Sequence, residues 1–402
     1  MKQASTYEEI NPLIDLCKAG KLFEVQDWIS AGKPINSPSL PEKGARKKSP
    51  LQVAIDCGFH SLVQVLLERG AAIEEPRYNA MEHSISKRRL DFVELLVEHG
   101  ADIHSVDMRW VFETWDPRIM EFFIERGADV ETGKPLSYAL CERIRTALGI
   151  FRRYKDRFPS FQEQANIALR HHCREGNIKW VSLMLWAGAD PYAKGPDYPY
   201  QEPDPEGEMN ALEWAAFCGH LEVFQLKSIK LDPGNPNLQG LLREACYGNT
   251  SDLMKELLKK GFKPADQKDR GSLLIQRLLT NMDWDYDFDL DFRKKRNIDT
   301  SRSREKIKMI HMLAKHGAKW MPDDRVAVND ARRSLLKMAP DYTVEFVWSM
   351  SKYKACTRKI IEDLIRTPAI RGLVHEHLPR IHELMEALQP FEGTDKSNKD
   401  SQ

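Results

Sequence analysis

Apolar residues recur along this chain in short blocks spaced i, i+3 and i+4, and the clearest blocks end in glycine. One reads Leu62-Val63-Gln64-Val65-Leu66-Leu67-Glu68-Arg69-Gly70-Ala71-Ala72-Ile73. Residues 92–103 repeat it as Phe92-Val93-Glu94-Leu95-Leu96-Val97-Glu98-His99-Gly100-Ala101-Asp102-Ile103. Val63, Leu66 and Leu67 share one stripe, so the spacing predicts an amphipathic helix with a single buried face. A basic or polar residue in the last turn suits the negative end of the helix dipole. The glycine after it suits a left-handed closing turn. Weaker copies end at Gly32, Gly127, Gly188, Gly261 and Gly317.

Upstream of these blocks lies a shorter signature: Ser49-Pro50-Leu51-Gln52, Asn79-Ala80-Met81-Glu82 and Asn210-Ala211-Leu212-Glu213. Looser forms are Asn11-Pro12-Leu13-Ile14 and Lys134-Pro135-Leu136-Ser137. Ser or Asn reads as an N-cap, with Pro or Ala as the first helical residue. Short helices are then expected to close at Gly58, Gly176, Gly219 and Gly248. Each unit is thus a short helix, a glycine turn, a longer helix, a second glycine and a loop. The closing glycines follow one another at 38, 30 and 27 residues from Gly32 to Gly127.

A period of about 33 with helix–turn–helix units and such an opening resembles the ankyrin-repeat family. The resemblance covers roughly residues 9–350 and is strongest at 49–104 and 176–224. It implies an all-α solenoid of nine or ten units, with short helices lining a concave face and loops projecting beside it as fingers. It also implies a non-catalytic scaffold that binds a protein partner and holds no cofactor. Repeats are expected over 1–158 and 159–323, a degenerate repeat and helical cap over 324–389, and a disordered tail over 390–402. The departures from the family pattern would suit a microbial protein, a setting in which the family supplies inhibitors, immunity factors and effectors.

Inserts interrupt the pattern at 36–48, 191–209 and 281–304. The first two, including Tyr192, Tyr198 and Tyr200, would enlarge the face beside the fingers. The third would leave from the opposite edge.

Charge narrows the field. Lys plus Arg equals Asp plus Glu at 60 each, which argues against nucleic acid as a partner. Local basic runs, Arg46–Lys48 and Arg293–Lys308, keep that as an alternative. No apolar run approaches the length of a membrane span. The polar start lacks a secretory signal, and seven cysteines without a pairing pattern fit a reducing, cytoplasmic setting. The sequence names no partner identity and no oligomeric state.

Several residues invite chemistry. Asp283-Trp284-Asp285-Tyr286-Asp287-Phe288-Asp289-Leu290-Asp291-Phe292 alternates acid and apolar, the period of a strand. An EF-hand wants Gly and Glu where Phe288 and Lys294 stand, so the calcium reading fails. Asp285, Asp287 and Asp289 are instead candidate partner contacts. A metal-dependent enzyme using that insert, or residues 324–390, is the rival reading. His382-Glu383 lacks a second histidine where Glu386 stands, so it is no zinc helix. Cys17, Cys57, Cys173 and Cys218 are expected as small buried residues. Arg109, Trp110 and Trp115 read as one short helix, and Trp214, Tyr138 and Tyr247 occupy comparable places. Arg109, Trp110, Tyr138 and His171 join the candidate contacts, being of types that dominate binding hot spots or lying on the expected face.

Overall fold

The computed structural model describes residues 3–38, 48–75, 78–200, 208–248, 250–264, 272–280, 300–322, 325–337 and 340–378. Asp285, Asp287, Asp289, Arg46 and the His382–Glu386 stretch lie outside these residues. The chain divides into two compact units.

Unit 1 comprises Met1–Ala168 with Trp186–Ala189 and Tyr198–Glu202. Its helices are α1 (Tyr7–Lys18), α2 (Leu22–Ser30), α3 (Pro50–Cys57), α4 (His60–Glu68), α5 (Ala80–Ser86) and α6 (Leu90–Glu98). They continue as α7 (Met108–Glu113), α8 (Pro117–Glu125), α9 (Pro135–Cys141), α10 (Arg145–Tyr154) and the first part of α11 (Ser160–Arg174). Each odd-numbered helix from α1 to α9 packs on its even-numbered successor to form a hairpin. Each of α1, α3, α5 and α7 also packs on the next odd-numbered helix, so α1 to α9 form one row. Helices α2, α4 and α6 form a second row, and α8 packs on α10. A two-residue strand, Glu74–Glu75, pairs antiparallel with Tyr78–Asn79 in one of the loops.

Unit 2 comprises Leu169–Leu185, Asp190–Asp197 and Pro203–Gln402. It holds the rest of α11, most of α12 (Ile178–Ala187), α13 (Ala211–Phe217), α14 (Leu221–Phe224), α15 (Leu241–Tyr247) and α16 (Ser251–Lys260). Beyond them lie α17 (Ser272–Thr280), α18 (Thr300–Lys315), α19 (Arg325–Lys337), α20 (Pro340–Lys352), α21 (Arg358–Leu364) and α22 (Pro368–His377). The two-row plan recurs: α13, α15, α17, α19 and α21 pack in sequence, as do α16, α18, α20 and α22.

The sequence signals act as their chemistry requires. Val63, Leu66, Phe92 and Leu96 are fully buried between hairpins, each contributing about 1.5–3 kcal/mol. Ser49, Asn79 and Asn210 accept backbone N–H groups at the starts of α3, α5 and α13. At Gly100, with φ 92°, the N–H bonds Val97 O at 3.0 Å and the next N–H, of Ala101, bonds Leu96 O at 2.9 Å. This double closure needs a left-handed residue, which is why glycine marks the end of the unit.

Gly248 does close α15 as expected, at φ −67°, and its missing side chain serves packing, since a Cβ there would sit 2.3 Å from Ala216 O. Three expectations need correction. Asn11 is not a cap: Thr6 accepts Glu9 N–H, and Pro12 lies inside α1. Trp115 is not in a short helix but in the turn after α7, at φ 60°. Cys57 and Cys218 are exposed, although Cys17 and Cys173 are buried.

Candidate functional site

Short helices α7 and α9 expose the side chains that their buried stripes leave over. On α7, Met108, Val111 and Phe112 face the core, so Arg109 and Glu113, one turn apart, face out. On α9, Leu136, Ala139 and Leu140 are buried, which turns Tyr138 and Glu142 to the same outer face.

The two helices are tied across this face. Tyr138 Oη donates to Glu113 Oε1 at 3.0 Å. Partial burial and that bond push the Tyr138 phenol up to about 12, so it stays a donor at neutral pH. Asp107, which caps α7 through Arg109 N–H, grips the guanidinium of Arg109 with both oxygens. Those bonds hold the Asp107 carboxyl below its usual range.

The insert at 191–209 supplies the third element. Arg109 Nη1 donates to Tyr200 Oη at 2.9 Å, and the guanidinium carbon lies 5.6 Å from the Tyr200 ring centre. Tyr200 also lies 6.5 Å from Tyr138 and 5.9 Å from Tyr198, ring centre to ring centre. Arg109 and Tyr138 are therefore brought together around Tyr200. Trp110, next to Arg109, is 48% exposed. Large flat side chains with a polar tip, held by neighbours before any partner arrives, are what binding surfaces use as anchors.

His171 is placed elsewhere. It is half-buried on α11, within unit 2, with its ring edge-on to His172 at 5.3 Å. The base of the insert is anchored within unit 2 by residues that sequence reasoning passed over. Arg170, fully buried, donates to Ala193 O at 2.9 Å and Pro196 O at 2.7 Å, and Arg174 pairs with Asp197 at 2.6 Å. Two arginines one turn apart at the end of a helix were the signal available. Their partners lie more than twenty residues on.

The buried thiols are poorly suited to nucleophile chemistry. Burial raises the Cys17 thiol to about 12 and pushes that of Cys173 up as well, and raised thiols are poor nucleophiles. No group of three or more His, Cys, Asp or Glu able to hold a metal occurs among the described residues. No described helix is long and apolar enough to cross a membrane.

Comparison with known proteins agrees with the hairpin plan. A family model for ankyrin repeats matches residues 13–107 in three copies. The chain is 26% identical over 218 residues to an ankyrin repeat and KH domain-containing protein of Caenorhabditis briggsae. That match takes in 50% of this chain and 8% of the relative's length. Among solved structures, the human ASB11 ankyrin repeat domain is similar at a TM-score of 0.34 and 16% identity, covering 58% of this chain and 97% of that one. The family match over 13–107 falls on the first three hairpins of unit 1 and the approach to the fourth, with their Ser49 and Asn79 caps and closing glycines. Residues 13–107 of the chain are ankyrin repeats.

Proposed function

We propose that this protein is a non-catalytic binding module and that it holds a protein partner on the α7–α9 face of unit 1. The observation that carries this is the Arg109–Tyr200 contact, which fixes an insert tyrosine against the short-helix row. Ankyrin repeats generally mediate protein–protein interaction, which supports the same reading. Trp110 and Tyr198 extend the exposed aromatic area, and the Asp107 and Glu113 carboxylates set its polar rim. Asp285, Asp287 and Asp289 remain proposed contacts of the same kind.

The test compares proteins retained by the immobilised full chain and by a Trp110→Ala/Tyr200→Ala variant from cells that express it, read by quantitative mass spectrometry. Both chains are first shown to unfold at the same temperature. The proposal expects a partner enriched on the parent chain and depleted about tenfold or more on the variant. An unchanged set of retained proteins contradicts it.

A further inference from the structure

Unit 2 has a short-helix face of different chemistry. Trp214 and Phe217 on α13 meet edge to face at 5.9 Å, and Phe217 lies 5.6 Å from Tyr247 at the end of α15. A guanidinium closes each end of this strip. Arg174 lies 5.2 Å from the Trp214 ring centre, and Arg277 on α17 lies 5.0 Å from that of Tyr247. Phe217 and Tyr247 are each 39% exposed, and Leu273, one turn before Arg277, is 56% exposed. The indole N–H of Trp214 is buried without an acceptor, a condition that native structures rarely leave uncorrected.

The charges beside the strip are asymmetric. Arg174 pairs with Asp197, Lys194 with Glu213 and Arg243 with Glu244. In each pair the cation is about half exposed, at 49%, 50% and 46%. The carboxylates are sealed in, at 1%, 2% and 4%. A partner approaching these three pairs meets guanidinium and ammonium groups while the compensating anions lie beneath. Glu175, exposed beside Arg174, is the nearest carboxylate in the sequence that departs from this arrangement.

We propose that the α13–α15–α17 face of unit 2 docks an extended acidic peptide segment of a partner protein, with aromatic or aliphatic residues between its carboxylates. The carboxylates match the forks of Arg174, Arg243 and Arg277, and the apolar side chains cover Phe217, Tyr247 and Leu273. Single-stranded nucleic acid also presents anions and flat rings. It is disfavoured because Lys plus Arg equals Asp plus Glu over the chain at 60 each, so no overall positive charge draws a continuous phosphate backbone to these few local forks. This inference stands independently of the face proposed in unit 1.

The test is fluorescence anisotropy of the full chain with three labelled probes. They are a peptide alternating Asp or Glu with Phe or Leu, its Asn/Gln counterpart, and oligothymidylate. Residues 283–292 have the acidic probe's own composition, so the chain carrying Asp285→Asn, Asp287→Asn and Asp289→Asn is measured beside the parent. The acidic peptide is expected to bind one or both chains, more weakly as salt rises. Binding should fall about tenfold in Tyr247→Ser/Arg277→Glu, and likewise in Leu273→Asp should the first variant fail to fold. Failure to bind either chain, equal binding of the neutral peptide, preference for the oligonucleotide, or undiminished affinity in a folded variant would each overturn the proposal.

Discussion

Arg109 and Tyr200, ninety-one residues apart in the chain, share a 2.9 Å hydrogen bond. Asp107 grips the other edge of the same guanidinium, so a long cationic side chain is already ordered before any partner arrives. Part of the rotamer entropy that binding would otherwise cost is thereby lost in advance. Tyr200→Phe keeps the ring and removes only the bond. It is expected to weaken partner binding about three- to tenfold and leave thermal unfolding unchanged. Equal affinity of the variant, by titration calorimetry, would show that the ordering is irrelevant.

Helix α9 lacks a cap of its own, since Lys134 makes no side-chain cap bond. Gln164 of α11 supplies one from a distance: its Oε1 accepts Leu136 N–H at 2.9 Å and Ser137 N–H at 3.2 Å, while its Nε2 donates to Val130 O at 3.0 Å. All three backbone groups would be left unpaired and buried by Gln164→Ala, which should cost about 2–3 kcal/mol in urea unfolding. Gln162→Ala, on the more exposed side of the same helix, should cost less than about 1 kcal/mol. Similar losses for both would contradict the capping role.

Some turns achieve the left-handed closure without glycine. Arg143, at φ 65°, places its N–H on Leu140 O at 3.1 Å and the following N–H on Ala139 O at 2.9 Å, and Arg88 at φ 56° does the same with Ile85 and Ser84. An L-residue there carries about 1–2 kcal/mol of steric cost, partly offset by the extra unfolded-state freedom of glycine. Arg88→Gly and Arg143→Gly should therefore each raise stability by about 0.5–1 kcal/mol in chemical denaturation. A loss of stability in both would mean that the arginine side chains contribute more than the backbone strain removes.

These turns also show where the sequence was readable. The hairpins around Gly70 and Gly100 were legible because glycine, a small follower and an i, i+3, i+4 stripe all encode one geometry. Arg88, Trp115 and Arg143 hold the same backbone state with nothing in their identity to announce it, which blurred the units between 80 and 150. Asn11-Pro12 looked like an opening because the pair suits one, yet Thr6 and Glu9 cap the helix five residues earlier. Arg109 and Tyr138 could be nominated from residue type and helix position. Their meeting at Tyr200 could not, because an aperiodic insert carries no local signal of where it lands. His171 shared the residue-level argument but lies on a long helix in the other unit.

Acid should loosen unit 1 at a defined place. Burial raises the Asp56 carboxyl, but hydrogen bonds from Lys48 at 2.7 Å and His83 at 2.8 Å outweigh it and leave the group below its usual range. The folded chain thus holds this proton less tightly than the unfolded one. The stabilisation is present above the unfolded carboxylate value of about 4 and is lost as pH falls through the lower folded value. Between about pH 6 and pH 3 the parent chain should lose more urea stability than Asp56→Asn, since only the parent has this group to protonate. Parallel losses in the two chains would remove Asp56 from the acid response.

A partner resting on the α7–α9 face would cover the insert tyrosines Tyr198 and Tyr200. Hydrogen exchange of the full chain, free and bound to the partner it retains, reads this directly. Slowed exchange is expected in the peptides containing 107–113, 137–142 and 198–200. Protection confined to α2, α4, α6 and α8, with those three segments unchanged, would contradict the account.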